Sequence, residues 1–317
     1  TIDLKGYYRT PFGIIRAVDG VSIVINKDEI VGIVGESGCG KSTFASLVMG
    51  KAEGFLHYEG GKVEIEGHDI WRMPSERLRK EVLCKFVSYI PQASLSALNP
   101  TLRLKEFFAD MLKERYGLKC SPNEARKMIS GYFNDLNLDE SVLDRYPHEL
   151  SGGMKQRAII AMATYLAPSL LIADEPTSAL DVASQKRVIK LFLEVKRKKG
   201  IKSMMCLSHD LCTLRQFCNR LAVMYAGKIV EVGDMDDVIQ TPLHPYTQLL
   251  INSQLPLERW VKQKKLEGAS GRPPDLRDPP SGCRFHPRCQ YRKEICMRKS
   301  PPALEKNGRY VSCWLYS

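Results

Sequence analysis

The stretch Gly35-Glu36-Ser37-Gly38-Cys39-Gly40-Lys41-Ser42-Thr43 constrains this chain more than any other. Its spacing, G-x-x-x-x-G-K-[ST], is that of a phosphate-binding loop. The apolar run over residues 30–34 before it is short enough for a buried strand. After it, Phe44, Leu47 and Val48 recur with the spacing of one helix face, and Gly50 is a natural C-terminal stop. Strand, glycine loop and helix are the context that gives the motif its meaning. The glycines allow a tight turn and expose backbone N–H donors. Loop and helix N-terminus then form a positive concavity for phosphate oxygens. Lys41 can reach the β- and γ-phosphates of a nucleotide, and Ser42 can ligate Mg²⁺. The competing reading is a chance glycine-rich turn, and the flanks argue against it.

A chain of 317 residues can bury a large core and form two domains. At 44% hydrophobic and 26% charged, the composition is that of an ordinary globular protein. The formal charge of +11 admits nucleic acid, an anionic membrane surface or a general cationic bias. The basic residues are dispersed, apart from Lys196-Arg197-Lys198-Lys199 and Lys262, Lys264 and Lys265. The first cluster suits a solvated helix C-terminus. No interleaving of aromatic and basic residues suggests base stacking, so no nucleic-acid partner is expected. The most apolar region, residues 158–173, is interrupted by Thr164, Tyr165, Pro168 and Ser169. It falls short of the roughly 20 apolar residues of a membrane span, and reads as a helix followed by a buried strand. No secretory leader is visible, and nucleotide chemistry then implies the cytoplasm. There the ten cysteines are expected to be reduced or metal-bound.

Along the chain, residues 1–28 alternate apolar and polar, with Val21, Ile23 and Ile25 against Ser22, Val24 and Asn26, and Pro11-Phe12-Gly13 marks a turn. This reads as an antiparallel strand pair, with Tyr7 and Tyr8 closing the first strand. A tyrosine there either stacks on adenine or packs on the sheet. Residues 62–67 alternate as a further strand, 74–85 form a charged amphipathic segment, and 86–90 a strand that delivers Pro91 and Gln92. A glutamine at a strand end can touch Mg²⁺ or the attacking water. From 99 to 145 the period is helical, with stripes at Phe107, Phe108, Met111, Leu112 and at Met128, Ile129, Tyr132, Phe133 that suit core packing.

Leu150-Ser151-Gly152-Gly153-Met154-Lys155-Gln156 opens another helix. Ser151 is a natural N-cap, and Gly152 and Gly153 expose backbone donors. One nucleotide does not need two anion-binding helix termini, so the second is expected to serve a nucleotide held by another subunit. The strand over 170–173 ends in Asp174 and Glu175. Such an aspartate can hold the Mg²⁺ shell, and the glutamate can polarise a water for attack on a γ-phosphate. Ser178-Ala179-Leu180-Asp181 reads as a loop, and 184–199 as a helix. The strand 203–207 ends in Ser208, His209 and Asp210, where His209 can contact a γ-phosphate. Residues 222–225 and 228–232 form a hairpin about Ala226 and Gly227. A short helix then runs through Leu250 into a Lys-, Gly- and Pro-rich loop over about 262–280.

Together these motifs resemble the nucleotide-binding subunits of ATP-binding-cassette (ABC) transporters over about residues 1–235. The resemblance implies an α/β fold: a P-loop, RecA-like core with an antiparallel β subdomain and a helical subdomain over about 95–160. Residues 1–240 would form the nucleotide-binding domain. It implies that residues 35–43 bind ATP, that Gln92 is the Q-loop glutamine, and that Leu150 to Gln156 is the signature. It also implies Mg²⁺ on Ser42, Gln92 and Asp174, Glu175 as catalytic glutamate, Asp181 as the D-loop aspartate and His209 as the switch histidine. Tyr8, less clearly Tyr7, matches the adenine-stacking aromatic. In this family two subunits sandwich two ATP molecules head to tail, so Ser151, Gly152 and Gly153 would meet the ATP on the partner's phosphate loop.

Ser96-Ala97-Leu98-Asn99-Pro100, Met154, Leu243-His244-Pro245-Tyr246-Thr247, Gly271-Arg272-Pro273-Pro274-Asp275-Leu276 and Gly282-Cys283-Arg284-Phe285-His286-Pro287-Arg288-Cys289 narrow the likeness to oligopeptide/dipeptide importer ATPases. The wording of the tail is closer to the D-type subunit than to the F-type. This implies an F-type partner ATPase, two transmembrane permease subunits, an extracytoplasmic solute-binding protein and a place on the cytoplasmic face of the membrane. Oligosaccharides and metal chelates remain open as solutes. A soluble ABC ATPase acting on nucleic acid or ribosomes is the alternative class.

The tail, residues 241–317, carries Cys283, Cys289, Cys296 and Cys313, spaced C-x5-C, C-x6-C and C-x16-C. Four thiolates can close a [4Fe–4S] cluster or a tetrahedral zinc site, or can remain plain thiols. The family resemblance favours the cluster, in a structural role for a tail too short to build its own core.

Overall fold

Ile30–Val34 is a strand with every residue buried, as its unbroken apolar run requires of a strand covered on both faces. The computed structural model describes residues 1–92, 97–178, 180–254 and 271–317. Ser96, Ala179, the cluster Lys262, Lys264 and Lys265 and the start of the expected 262–280 loop lie outside them. Chain contacts divide the protein into two units: residues 1–64 with 205–317, and residues 65–204.

In the first unit, Ile30–Val34 runs parallel to Arg220–Tyr225, with Val31 opposite Arg220 and Val34 opposite Val223. Arg220–Tyr225 turns back into Lys228–Asp234. The connecting Ala226 and Gly227 have φ of 47° and 81°, the pair of positive values that matches strand twist in a two-residue hairpin. Arg309–Val311 then pairs with Lys228–Asp234, and Leu304–Lys306 with Arg309–Val311. The cysteine tail thus adds strands to the sheet of the phosphate-loop strand, and also packs a small cluster of its own, Leu243, Val311 and Cys313 with Tyr316 against them.

The second sheet of this unit has the order Gly13–Val21, Ile2–Thr10, Leu56–Lys62, all antiparallel. Two expectations change here. The first strand runs past Tyr7 and Tyr8 to Thr10, and the second stops at Val21. Beyond Val21 the alternation persists only as burial, with Ile23 buried and Ser22 and Val24 exposed. One backbone exchange remains, Ile23 N–H to Thr1 O at 3.1 Å and the Thr1 ammonium to Ile23 O at 2.6 Å. The strand expected over 62–67 survives in shortened form: Leu56–Lys62 ends where it begins, and Glu64–Ile65 is a two-residue strand within it. Glu66 and Gly67, at φ of 49° and 80°, then turn the chain back into His68–Asp69, which pairs with Glu64–Ile65.

In the second unit Val87–Ile90 and Leu170–Asp174 pair in parallel. Residues 74–85 form a short α-turn, Ser75–Arg77, that runs into a π-turn, Leu78–Val82, burying Leu78 and Val82. Helices Leu104–Tyr116 and Pro122–Asp135 carry the two stripes. Phe108 meets Phe133 edge-on at 5.6 Å, whereas Met128 is 49% exposed and belongs to the rim. Helix Val182–Lys199 buries Val188, Leu191, Phe192 and Val195 and ends on Gly200 at φ 68°. Its last turn holds the first basic cluster, as expected, but Lys199 is not simply solvated. Its Nζ lies 3.7 Å from the centroid of Tyr132, and burial lowers its pKa.

Helix Pro245–Gln254 follows a buried histidine. His244 accepts the Tyr246 N–H on Nδ1 at 3.0 Å, and burial pushes its pKa from 6.5 down to about 3. Its folded pKa is depressed. Below 6.5 the unfolded chain therefore binds a proton that the native chain does not, and stability falls as pH drops from 6.5 towards 3. The slope is about 1.4 kcal/mol per pH unit. Melting curves between pH 7 and pH 4 check this. His244→Asn keeps an acceptor and should show a shallower decline, and an identical slope would remove His244 as a source of acid sensitivity.

Candidate nucleotide-binding site

The loop between Ile30–Val34 and helix Lys41–Val48 is shaped by contacts that only glycine permits. A Cβ on Gly35 would stand 2.2 Å from Met224 O. At Gly40, with φ 107°, it would stand 2.1 Å from Ala17 O. Ser37 and Gly38 are exposed. Cys39 is buried, which pushes its thiol up, and its carbonyl accepts Gly227 N–H at 2.8 Å. Lys41 opens the helix, buried, and its Nζ donates to Gly35 O at 2.8 Å and Glu36 O at 3.3 Å. Ser42 faces outward at the first turn. The Thr43 hydroxyl lies 3.1 Å from that of Tyr8. Tyr7 instead gives its hydroxyl to Asp19 at 2.6 Å, and burial with that contact pushes its pKa up to about 12. Of the two tyrosines, Tyr8 is thus the one joined to the phosphate loop.

Glu36, in the middle of this loop, is held twice from the far end of the chain. Its N–H donates to the Tyr246 hydroxyl at 3.0 Å, and its carboxylate receives both Nη atoms of Arg288 at 2.9 and 3.0 Å. Sequence reasoning missed both partners, because nothing local in Pro287-Arg288-Cys289 points to a phosphate loop 252 residues away. His209, also in the first unit, is exposed just past strand Ser203–Ser208.

The second unit carries the acidic residues. Asp174 ends its strand 1% exposed, and Tyr89 donates to its Oδ2 at 3.0 Å. Burial, and then the Asp174 charge, push the Tyr89 hydroxyl well up. Glu175 follows at φ 48°, a left-handed conformation uncommon for a side-chain-bearing residue and typical of functional turns. Ser178 fixes it, donating from N–H at 3.1 Å and from the hydroxyl at 2.9 Å to Glu175 O. Gln92 is exposed in the turn after Val87–Ile90. Asp181, expected in a loop, is the N-cap of helix Val182–Lys199, accepting Ser184 N–H at 2.9 Å. The helix begins earlier than residue 184 because this cap satisfies its first donors.

Ser151 caps helix Gly152–Thr164, accepting Met154 N–H at 3.3 Å. One turn on, Gln156 donates to Pro176 O at 2.9 Å, which ties this helix to the residue after Glu175. A Cβ on Gly152 or Gly153 would meet nothing within 4 Å. Neither glycine is required by its own chain.

The ten cysteines are free thiols. The tail's four influence one another: Cys296, Cys313 and Cys289 all help raise Cys283, after burial, which takes it to about 11. Backbone N–H groups of Phe285, Tyr291 and Leu315, each two residues on, favour the thiolates of Cys283, Cys289 and Cys313. Soft thiolates with backbone donors suit iron–sulfur or zinc chemically. Even so, no group of three or more His, Cys, Asp or Glu among the described residues is placed to hold a metal ion. On the ATP side, Ser42 in the first unit and Gln92 and Asp174 in the second each carry an oxygen donor, the ligand type that Mg²⁺ takes.

A glycine loop feeding a helix N-terminus, and an Asp-Glu pair at the end of a second buried parallel strand, define a P-loop ATPase. The chain belongs to the ABC transporter ATP-binding family, and is an ATPase of that class. A family model described as ABC transporter matches residues 18–178, and one described as Oligopeptide/dipeptide transporter, C-terminal region, matches residues 230–296. The chain is 39% identical to the dipeptide transport ATP-binding protein DppD of Caldanaerobacter subterraneus subsp. tengcongensis, over 99% of this chain and 95% of that protein. It is 37% identical to the oligopeptide transport ATP-binding protein OppF of Salmonella typhimurium, over 98% and 90%. The dimeric structure of the ATP-binding cassette MJ0796 in a post-hydrolysis state bound to ADP and Pi superposes with a TM-score of 0.62 at 25% identity, covering 74% of this chain and 97% of that one. D-type and F-type relatives both appear. Among the described residues no helix is long and apolar enough to cross a membrane.

Proposed function

We propose that this chain is one of two ATPase subunits that power an importer of dipeptides or oligopeptides. Its N-terminal 240 residues act as the nucleotide-binding domain, with the segment over about 95–160 passing motion to the permeases and 241–317 as an importer-type extension. The observation that carries the reading is the pair of glycines in open space at the second helix N-terminus. Their own chain leaves open space there, and that space with its helix N-terminus suits an ATP held on the phosphate loop of a second, F-type subunit. ATP favours the closed pair and hydrolysis the open one, a population shift driven by differential affinity.

Each residue then has a role. The loop over residues 35–43 and the Lys41 ammonium bind the β- and γ-phosphates, with the Glu36 N–H given to Tyr246 instead, and Tyr8 stacks on adenine. Ser42, Gln92 and Asp174 would hold Mg²⁺, which when bound neutralises charge on the phosphate oxygens. Glu175 accepts a proton from the attacking water, and His209 contacts the γ-phosphate. Asp181, at the cap of its helix, faces the subunit interface. Cys283, Cys289, Cys296 and Cys313 would hold a [4Fe–4S] cluster, with zinc as the alternative; the support is the donor set and its backbone N–H groups. The cluster's role is to stiffen the tail. Two permease subunits and an extracytoplasmic solute-binding protein complete the assembly, with this chain peripheral on the cytoplasmic face of the membrane.

One anaerobic co-expression tests both parts. The chain should purify with the two hydrophobic subunits, and a peptide-loaded binding protein should raise ATP hydrolysis by the assembly. The same sample should be brown with about four iron atoms per chain. A chain that never retains permeases overturns the importer reading. A colourless sample with stoichiometric zinc overturns the cluster.

A further inference from the structure

We propose that Arg288, in the cysteine tail, is a positioning residue for the phosphate loop: it holds Glu36 in place and cancels its charge, so that the loop can accept an anionic nucleotide. The proposal rests on the reading of residues 35–43 as the phosphate site.

Glu36 is an awkward residue for such a loop. It stands beside Gly35 in the phosphate loop, and an uncompensated carboxylate there would repel a polyphosphate. Arg288 meets it with a two-pronged contact at 2.9 and 3.0 Å, the arrangement a planar guanidinium makes with a carboxylate and a lysine ammonium does not. The side chain of Arg288 is 7% exposed against 29% for Glu36, so the pair is largely shielded from solvent.

Arg288 is itself fixed. It ends the turn His286–Arg288, its Nη1 reaches the Tyr225 hydroxyl at 3.2 Å, and its guanidinium lies over the rings of Tyr225 and Phe285 at 5.7 and 5.9 Å. Phe285 is buried and packs on Tyr225 at 5.2 Å and Tyr246 at 5.5 Å. Tyr246 is the residue that accepts the Glu36 N–H. Side chain and backbone of Glu36 are therefore gripped by one aromatic cluster rooted in the tail. A second grip runs in parallel. Arg284 bonds Asp19 and Ala226 O, and the next residue, Gly227, donates to Cys39 O within the loop. The tail is in this view part of the nucleotide site, and its folding is felt as nucleotide affinity.

A residue that only pinned the tail would behave differently from one that serves Glu36, and a double substitution separates the two. The affinity of the full chain for MgATP is measured by calorimetry for Arg288→Gln, Arg288→Lys, Glu36→Gln and the double variant Glu36→Gln/Arg288→Gln, with Lys41→Ala as a control. Arg288→Gln should weaken binding about tenfold, the scale of one lost charge-assisted contact. Arg288→Lys, which keeps charge but not the fork, should fall between. In the double variant the repelling carboxylate is gone, and at least half of the loss, on a logarithmic scale, should return. Binding by Arg288→Gln within twofold of the parent overturns the proposal. So does a double variant no better than Arg288→Gln, because a collapsed tail is not repaired at Glu36. If Lys41→Ala binds MgATP like the parent, the phosphate-loop reading has failed instead.

Discussion

Glu175→Gln should leave ATP binding intact and lower turnover by about a hundredfold or more, the scale of a lost general base. Gln has nearly the shape of Glu and keeps a carbonyl oxygen, but it cannot take a proton from water. The backbone gives no reason for wider damage. Glu175 sits at φ 48° just past its strand, and the turn is held through its carbonyl by Ser178, which a side-chain change does not touch. Steady-state hydrolysis together with equilibrium nucleotide binding decides the matter. Normal hydrolysis would move the base elsewhere, and loss of binding would make Glu175 structural.

Gly153→Asp is the second large effect. The lone chain should fold, melt and bind ATP as before, because a Cβ there meets nothing within 4 Å. An acidic residue in the first turn of helix Gly152–Thr164 even suits the helix dipole. What changes is the surface offered to a second subunit, where a carboxylate would now face phosphate. Hydrolysis should fall on the order of a hundredfold, as for a misplaced reaction geometry. ATP-dependent association of the Glu175→Gln protein with its partner ATPase subunit, followed by size-exclusion chromatography, should vanish when Gly153→Asp is added. A dimer that persists would show that the second helix terminus has no part in the sandwich.

Much of this was legible in the sequence because it depends on neighbours. The phosphate loop, its strand and its helix follow from spacings within twenty residues. Ser151 reads as an N-cap and is one, since capping involves only the next three residues. The hairpin about Ala226 and Gly227 was likewise local. The misreadings have physical causes too. Ile23 alternates in burial without a ladder to belong to. The strand expected over 62–67 is cut to Glu64–Ile65 by a turn at Glu66, whose positive φ its residue type does not announce. Asp181 reads as loop beside Ser178, although an aspartate before a helical period can equally be a cap, which it is.

The amino-acid sequence by itself determined that the chain is an ABC-type ATPase. The order and spacing of loop, signature and acidic pair are chemical requirements of one reaction, and each is met within a few residues. Only the tertiary structure decided how the tail is used. It enters the sheet as Arg309–Val311 and sets Arg288 on Glu36, a contact 252 residues apart in sequence. No spacing encodes such a pair. It exists because Phe285, Tyr225 and Tyr246 bury one another, and that packing brings a guanidinium to the one carboxylate in the phosphate loop.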